Sequence, residues 1–230
     1  EMTGTPYTGT DCRSLNPARY LGPVPIITHL HGAHVGPNSD GYPEAWYLPK
    51  ANNILAGFAT EGKEYDDIFG GSGRGEGFAV FEYPNDQRAT TLWFHDHSLG
   101  MTRVNVYAGP AGYYLLRGGA GDMVDNVATK KTNDGVLPAG DYEIPILIQD
   151  RSFNSDGSLF YATSRTFFDG FTGPFIPDTA IDGGMSDVSP IWNPEFFGNT
   201  MVVNGNTWPY LNVEPRQYRF RFLNGSDSRF

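Results

Sequence analysis

Punctuation by glycine and proline constrains this chain more than any other feature. Of 230 residues, 29 are glycine and 17 are proline, one in five. Either residue inside a helix costs stability, so long helices are excluded and many short strands joined by turns are favoured. Aromatic residues at 14% and charged residues at 18% describe a chain with core-forming material rather than a disordered one. The expected fold class is all-β.

Strand-length apolar segments fall at 26–30, 77–83, 90–97, 104–107 and 112–116. The second and third are read as a pair joined by the Asn85-Asp86-Gln87 turn. Weak periodicity over 42–69 allows a helical turn or two. A second group falls at 142–149 and 201–203, followed by Tyr218, Phe220 and Phe222 alternating with Arg219 and Arg221. That period of two predicts a strand with its aromatic face buried. Between the groups, 119–141 reads as a linker, and the glycine-rich run 70–77 as a flexible connection. The expected division is therefore a first unit over 1–118, a linker over 119–141 and a second unit over 142–230.

Composition removes several function classes. The net charge of −10 opposes binding to phosphate backbones, so no nucleic-acid partner is expected. No apolar run approaches the roughly 20 residues of a membrane helix. A single cysteine, Cys12, excludes an intramolecular disulfide framework and cysteine-rich zinc or iron–sulfur sites. With Glu1 first and no basic-then-apolar leader, the expectation is a removed signal peptide or a start that has been cut away.

Four of the five histidines form two His-x-His pairs, His29 with His31 and His95 with His97. On a strand, residues i and i+2 share a face about 7 Å apart. Two such strands side by side would bring four neutral nitrogen donors to one pocket, a set suited to copper, zinc, iron or nickel. Gly32 leaves room for the backbone to turn past such a cluster. His34 stands alone and is given a surface or supporting role. With it, the run H-x-H-x-x-H approaches a zinc-hydrolase pattern, but Ala33 stands where that pattern needs an aspartate. A zinc hydrolase is kept as a weak rival. Asp96 lies between two ligand candidates and would point to the other face, where hydrogen bonding in support of the ligands is its expected role.

The segments THLHG (28–32), SDGYPEAW (39–46), LWFHDH (92–97) and TRVNVYAGPAGYYLLR (102–117) resemble the multicopper oxidases, above all the bacterial spore-coat laccase and bilirubin oxidase branch. IPILIQDRSF (144–153) and YLNVEPRQYRFRFLN (210–224) are similar to that branch's second domain. The resemblance implies cupredoxin-like Greek-key β-barrels, the first short of its N-terminal strands and the second truncated. It implies copper as cofactor, with His29 on a type 2 ion, His31 and His95 on one type 3 ion, and His97 on the other. It makes Asp40 a candidate proton relay, against the plainer reading of a turn residue before Gly41.

The resemblance also defines what to expect elsewhere. No histidine follows His97 and Cys12 has no histidine neighbour, so a type 1 site is expected to be absent from this chain. The remaining ligands would come from a second chain or fragment carrying the C-terminal cupredoxin domain. Dioxygen and a small reducing aromatic would be the substrates, in an extracellular or periplasmic place. The rival to catalysis is a non-catalytic copper-binding or structural fragment.

Overall fold

A computed structural model describes residues 23–50, 59–70, 77–119, 122, 137–161 and 195–230. Cys12, most of the glycine-rich run at 70–77 and most of the 119–141 linker lie outside the described residues. The described elements are β1 (Thr28–His31), α1 (Tyr65–Phe69), β2 (Thr91–Asp96), α2 (Thr102–Ala108), β3 (Ala111–Leu115), β4 (Glu143–Arg151), β5 (Thr200–Val203), β6 (Asn206–Thr207) and β7 (Arg219–Asn224), with 3-10 turns at Pro37–Ser39, Pro43–Ala45 and Gly140–Tyr142.

Two sheets result. The first is antiparallel in the order β1-β2-β3. The second has the order β6-β5-β4-β7, with β4 antiparallel to β5 and parallel to β7. Among the described residues neither sheet closes into a barrel. One core cluster packs Ile27, Ala45, Tyr65 and Phe69 beneath the start of β1. Another packs Tyr107 of α2 against Phe196, Phe160 and Tyr161.

The structure corrects the all-β expectation. Residues 104–107, read as a strand, belong to α2. Two valines at alternate positions imitate a strand, but the chain is already turning at Ser98. The Ser98 carbonyl accepts from the Met101 and Thr102 N–H groups and from Thr102 Oγ1. Tertiary burial of Asn105, Val106 and Tyr107 then outweighs the β preference of valine. Residues 77–83 hold no strand ladder, and β2 pairs with β1 and β3 instead.

The face of β7 is also inverted from expectation. Phe220 and Phe222 are exposed, while Arg219 and Arg221 are the more enclosed. The cause is Glu143, a buried carboxylate on the adjoining strand. It takes Arg117 Nη2 and Arg221 Nε at 2.6 Å each and Arg219 Nη1 at 3.3 Å. A buried carboxylate requires partners, and these arginines face it at the expense of the aromatics. Burial pushes the Glu143 carboxyl up, but hydrogen bonds from Arg117 and Arg221 outweigh it and hold the group below its ordinary value.

Arg117 follows β3, so this ion cluster also joins the two sheets. Tyr113 of β3 extends the seam, its hydroxyl donating to the Arg221 carbonyl at 2.6 Å and accepting from the Ile146 N–H at 3.2 Å. Tyr107 accepts from the Ser152 N–H at 2.9 Å and donates to the Phe160 carbonyl at 2.6 Å.

Candidate metal centre

The register of β1 against β2 builds the site. His29 lies directly opposite His95, and His31 opposite Trp93. Residues opposite one another in an antiparallel pair share a face, so period two places His29, His31, Trp93 and His95 together. Ligand nitrogens of His29, His31 and His95 all lie within 4.8 Å of one another. His97, just past the end of β2, adds a ring 5.2 Å from that of His29 and 5.8 Å from that of His95. It is not part of the close triplet. Trp93 forms a wall, its ring 4.4 Å from His95 and stacked at 5.3 Å on His31.

A neutral imidazole carries its proton on one nitrogen and a lone pair on the other, and its hydrogen bonds decide which is which. His29 Nδ1 donates to the Asp40 carbonyl, and His95 Nδ1 donates to the Asp96 carbonyl at 2.7 Å. Carbonyls only accept, so both rings carry their proton on Nδ1 and offer the Nε2 lone pair. Burial lowers the His95 pKa and the nearby imidazoles add to that, against the raising effect of its bond to the Asp96 carbonyl. The shift favours the neutral ring, the form in which a metal binds.

Between His31 Nδ1 and His95 Nε2 the gap is 3.4 Å. That is long for a hydrogen bond. It is close to the roughly 3.3 Å that separates two nitrogens sharing one tetrahedral ion at about 2.0–2.1 Å. The donor set, all imidazole and no thiolate, fits copper or zinc. The His29, His31 and His95 cluster is thus consistent with a partial copper-binding site.

The loop over His29 explains the SDG segment. Gly41 has φ +81°, and a Cβ there would meet the Thr28 carbonyl and come within 2.9 Å of His29 Cα. Only glycine lets the loop lie so close, and that closeness delivers the Asp40 carbonyl to His29. Ser39, buried, steadies the same loop by accepting the Glu82 N–H at 2.8 Å. The Asp40 carboxylate is 56% exposed, with Oδ1 3.5 Å from His29 Nδ1. The contact that orders His29 is therefore made by Asp40's backbone, a role no side-chain identity reveals.

Two further groups escape notice in the sequence. Gln87 bridges the turn after His31, donating to the Gly32 carbonyl at 2.9 Å and accepting the His34 N–H at 2.7 Å. His34 itself is exposed and joins the chain there through its backbone. Asn105 of α2 reaches Asp96 Oδ2 at 2.8 Å. Gln87 lies more than 50 residues from its targets and Asn105 nine from Asp96, and only their closeness to a His-x-His pair could have flagged them. Among the described residues no helix is long and apolar enough to cross a membrane.

No protein-family model matches the chain. Several known proteins do. The laccase of Bacillus stratosphericus is 40% identical over 206 residues, covering 90% of this chain and 32% of that protein. The laccase of Bacillus subtilis is 37% identical over 206 residues, with the same coverage. Multicopper oxidase LPR1 of Arabidopsis thaliana is 34% identical over 210 residues, 91% of this chain and 28% of its own length. Among solved structures, the 2F4 variant of the McoA multicopper oxidase from Aquifex aeolicus matches with a TM-score of 0.51 and 26% identity, covering 89% of this chain and 32% of that one. The chain thus spans about a third of the length of these relatives. It is homologous to laccase and multicopper oxidase proteins over about nine-tenths of itself, and its sheets follow the cupredoxin-type fold of those oxidases.

Proposed function

We propose that this chain supplies half of the histidine ligands of a trinuclear copper centre in a laccase-like oxidase of the spore-coat laccase and bilirubin oxidase branch. His29 serves a type 2 ion, His31 and His95 share one type 3 ion, and His97 serves the other. The observation that carries the reading is the 3.4 Å approach of His31 Nδ1 to His95 Nε2, with the outer nitrogens of His29 and His95 tied to carbonyls. Bound copper would supply the single-electron chemistry by which such an enzyme oxidises phenols, aromatic amines or tetrapyrroles and reduces dioxygen to water.

The chain's own residues hold and orient the ligands and manage protons. The Asp40 and Asp96 carbonyls fix His29 and His95 in the Nδ1–H form, leaving Nε2 as donor. Trp93 covers one side of the triplet and limits water there. The exposed Asp40 carboxylate stands between solvent and His29, where it can take up a proton from water and hand it inward. The remaining ligands and the type 1 site belong to polypeptide of the kind that makes up the other two-thirds of the relatives. We place two cupredoxin-like units here, 1–118 and 142–230, on either side of the 119–141 linker.

Copper titration of the purified chain, read by metal analysis and electron paramagnetic resonance, tests this. Copper held by nitrogen ligands in preference to zinc, and held more weakly in His95→Ala, is the expected result. Preference for zinc with hydrolytic turnover would overturn it. Because the chain spans about a third of the matched oxidases, a non-catalytic copper-binding role is the second reading. Copper bound without turnover, even when the other two-thirds of a relative is supplied alongside, favours that one.

A further inference from the structure

We infer that Asp96 is a positioning residue that fixes both flanking histidines, His95 through its backbone carbonyl and His97 through its carboxylate. The inference rests on the reading of His97 as a metal ligand.

The ladder between β1 and β2 pairs Thr28 with Asp96, so its next step would pair Ile27 with His97. Half of that step exists: the His97 N–H donates to the Ile27 carbonyl at 2.8 Å. In a regular ladder the Ile27 N–H would return to the His97 carbonyl. Here it donates to Asp96 Oδ1 at 2.9 Å instead. The carboxylate replaces the carbonyl, and His97 leaves the ladder while remaining tethered to β1.

The carboxylate is itself held from three directions. Besides Ile27, Oδ1 accepts from Ser98 Oγ at 2.8 Å, and Oδ2 accepts from the Ser98 N–H at 3.0 Å and from Asn105 Nδ2 at 2.8 Å. Asn105 Nδ2 also donates to the Pro25 carbonyl at 2.9 Å. Asp96, Ser98 and Asn105 are all buried, Ser98 completely. Four donors on one buried carboxylate make a rigid joint between β1, the end of β2 and α2.

His97 needs such a joint more than its neighbours do. The rings of His29 and His95 are each held by a carbonyl at Nδ1. His97 Nδ1 is buried with no hydrogen-bond partner among the described residues. A ligand histidine ordinarily donates its outer nitrogen to a supporting group. Lacking that, His97 takes its position from its backbone, and its backbone takes it from Asp96.

Asp96→Asn keeps the size and the carbonyl to His95, but whichever oxygen becomes the amide NH2 then faces a backbone N–H that can only donate, Ile27 at Oδ1 or Ser98 at Oδ2. The expected result in the metal-free chain is loss of the nuclear Overhauser contact between the His97 and His29 rings, with the His29–His95 contact kept. Copper affinity should fall about 10–100-fold, the usual cost of losing a group that supports a ligand. That loss should vanish when Asp96→Asn is made in a His97→Ala background. A retained His97–His29 contact in folded Asp96→Asn overturns the inference. So does an affinity loss that persists undiminished without His97, since Asp96 would then be acting on the fold at large. If circular dichroism shows Asp96→Asn unfolded, Asn105→Ala removes a single donor and is read by the same ring contact. Failure of the unaltered chain to bind copper would count against the proposed function, while the ring contact still decides the role of Asp96.

Discussion

The histidine face of the first sheet and the arginine seam of the second each gather three like side chains into a small space, but only the seam encloses their counter-charge. Arg117, Arg219 and Arg221 converge on Glu143, which is 3% exposed. His29, His31 and His95 converge on one another, with their protonated nitrogens tied outward where a tie exists and lone pairs left inward. The seam holds its counter-charge among the described residues and reads as structure. The histidine face completes itself only around something that accepts electron pairs, and reads as a binding site.

That contrast can be broken at the seam first. Glu143→Ala should leave three arginines partly buried beside one another and destabilise the chain by about 3–5 kcal/mol, measured by urea unfolding. His95→Ala should do the reverse: little loss of stability, and copper affinity weakened by about a hundredfold, measured by competition titration. If His95→Ala unfolds the chain while Glu143→Ala does not, the two regions have been assigned the wrong way round.

A pH series sharpens the comparison, because two carboxyls of the second sheet region are shifted in opposite directions. Glu143 is held below its ordinary value, so its contribution is present above about pH 4.5 and is lost as pH falls through the lower folded value. Asp227 is pushed up to about 6, chiefly by burial, with Arg151 and Arg103 opposing that rise and Asp150 adding to it. Its folded form holds the proton more tightly than its unfolded form, so stability should decline as pH rises from about 4 to about 6. Asp227→Asn should remove that decline and stabilise the chain at neutral pH by at most about 3 kcal/mol. A pH–stability curve unchanged by the substitution would reject this reading. The smallest effect is expected at Asp40. Asp40→Asn keeps the carbonyl that orders His29, so copper loading should be unchanged while dioxygen consumption by a completed enzyme slows several-fold. An oxygen electrode with metal analysis checks both.

The histidine cluster was legible in the sequence because a period of two survives any uncertainty in where a strand begins. The sequence also located β1, β2, β3, β4, β5 and β7, whose apolar runs are bounded by turn residues. It failed where a local pattern met a distant partner. Val104 and Val106 alternate like a strand, but a turn already begun at Ser98 carries them into α2. The aromatics of β7 look like the inner face until Glu143 draws the arginines inward. Asp40 attracts attention for its carboxylate, whereas its carbonyl makes the ordering contact. The Asp96 joint spans Ile27 to Asn105, and hydrogen bonds across that separation leave no periodic trace.

The pairing of His29 with His95 has a consequence for how such a site tolerates change in length. The residues that join β1 to β2 can lengthen or shorten at their exposed turns without moving either ligand strand. One residue inserted within β2 ahead of His95, or one step of slippage between the strands, would send the imidazoles of one partner to the opposite face. The reading frame of a single strand pair thus acts as the gauge of the histidine cluster: insensitive to indels in the loops, and intolerant of an odd-numbered one within either histidine-bearing strand.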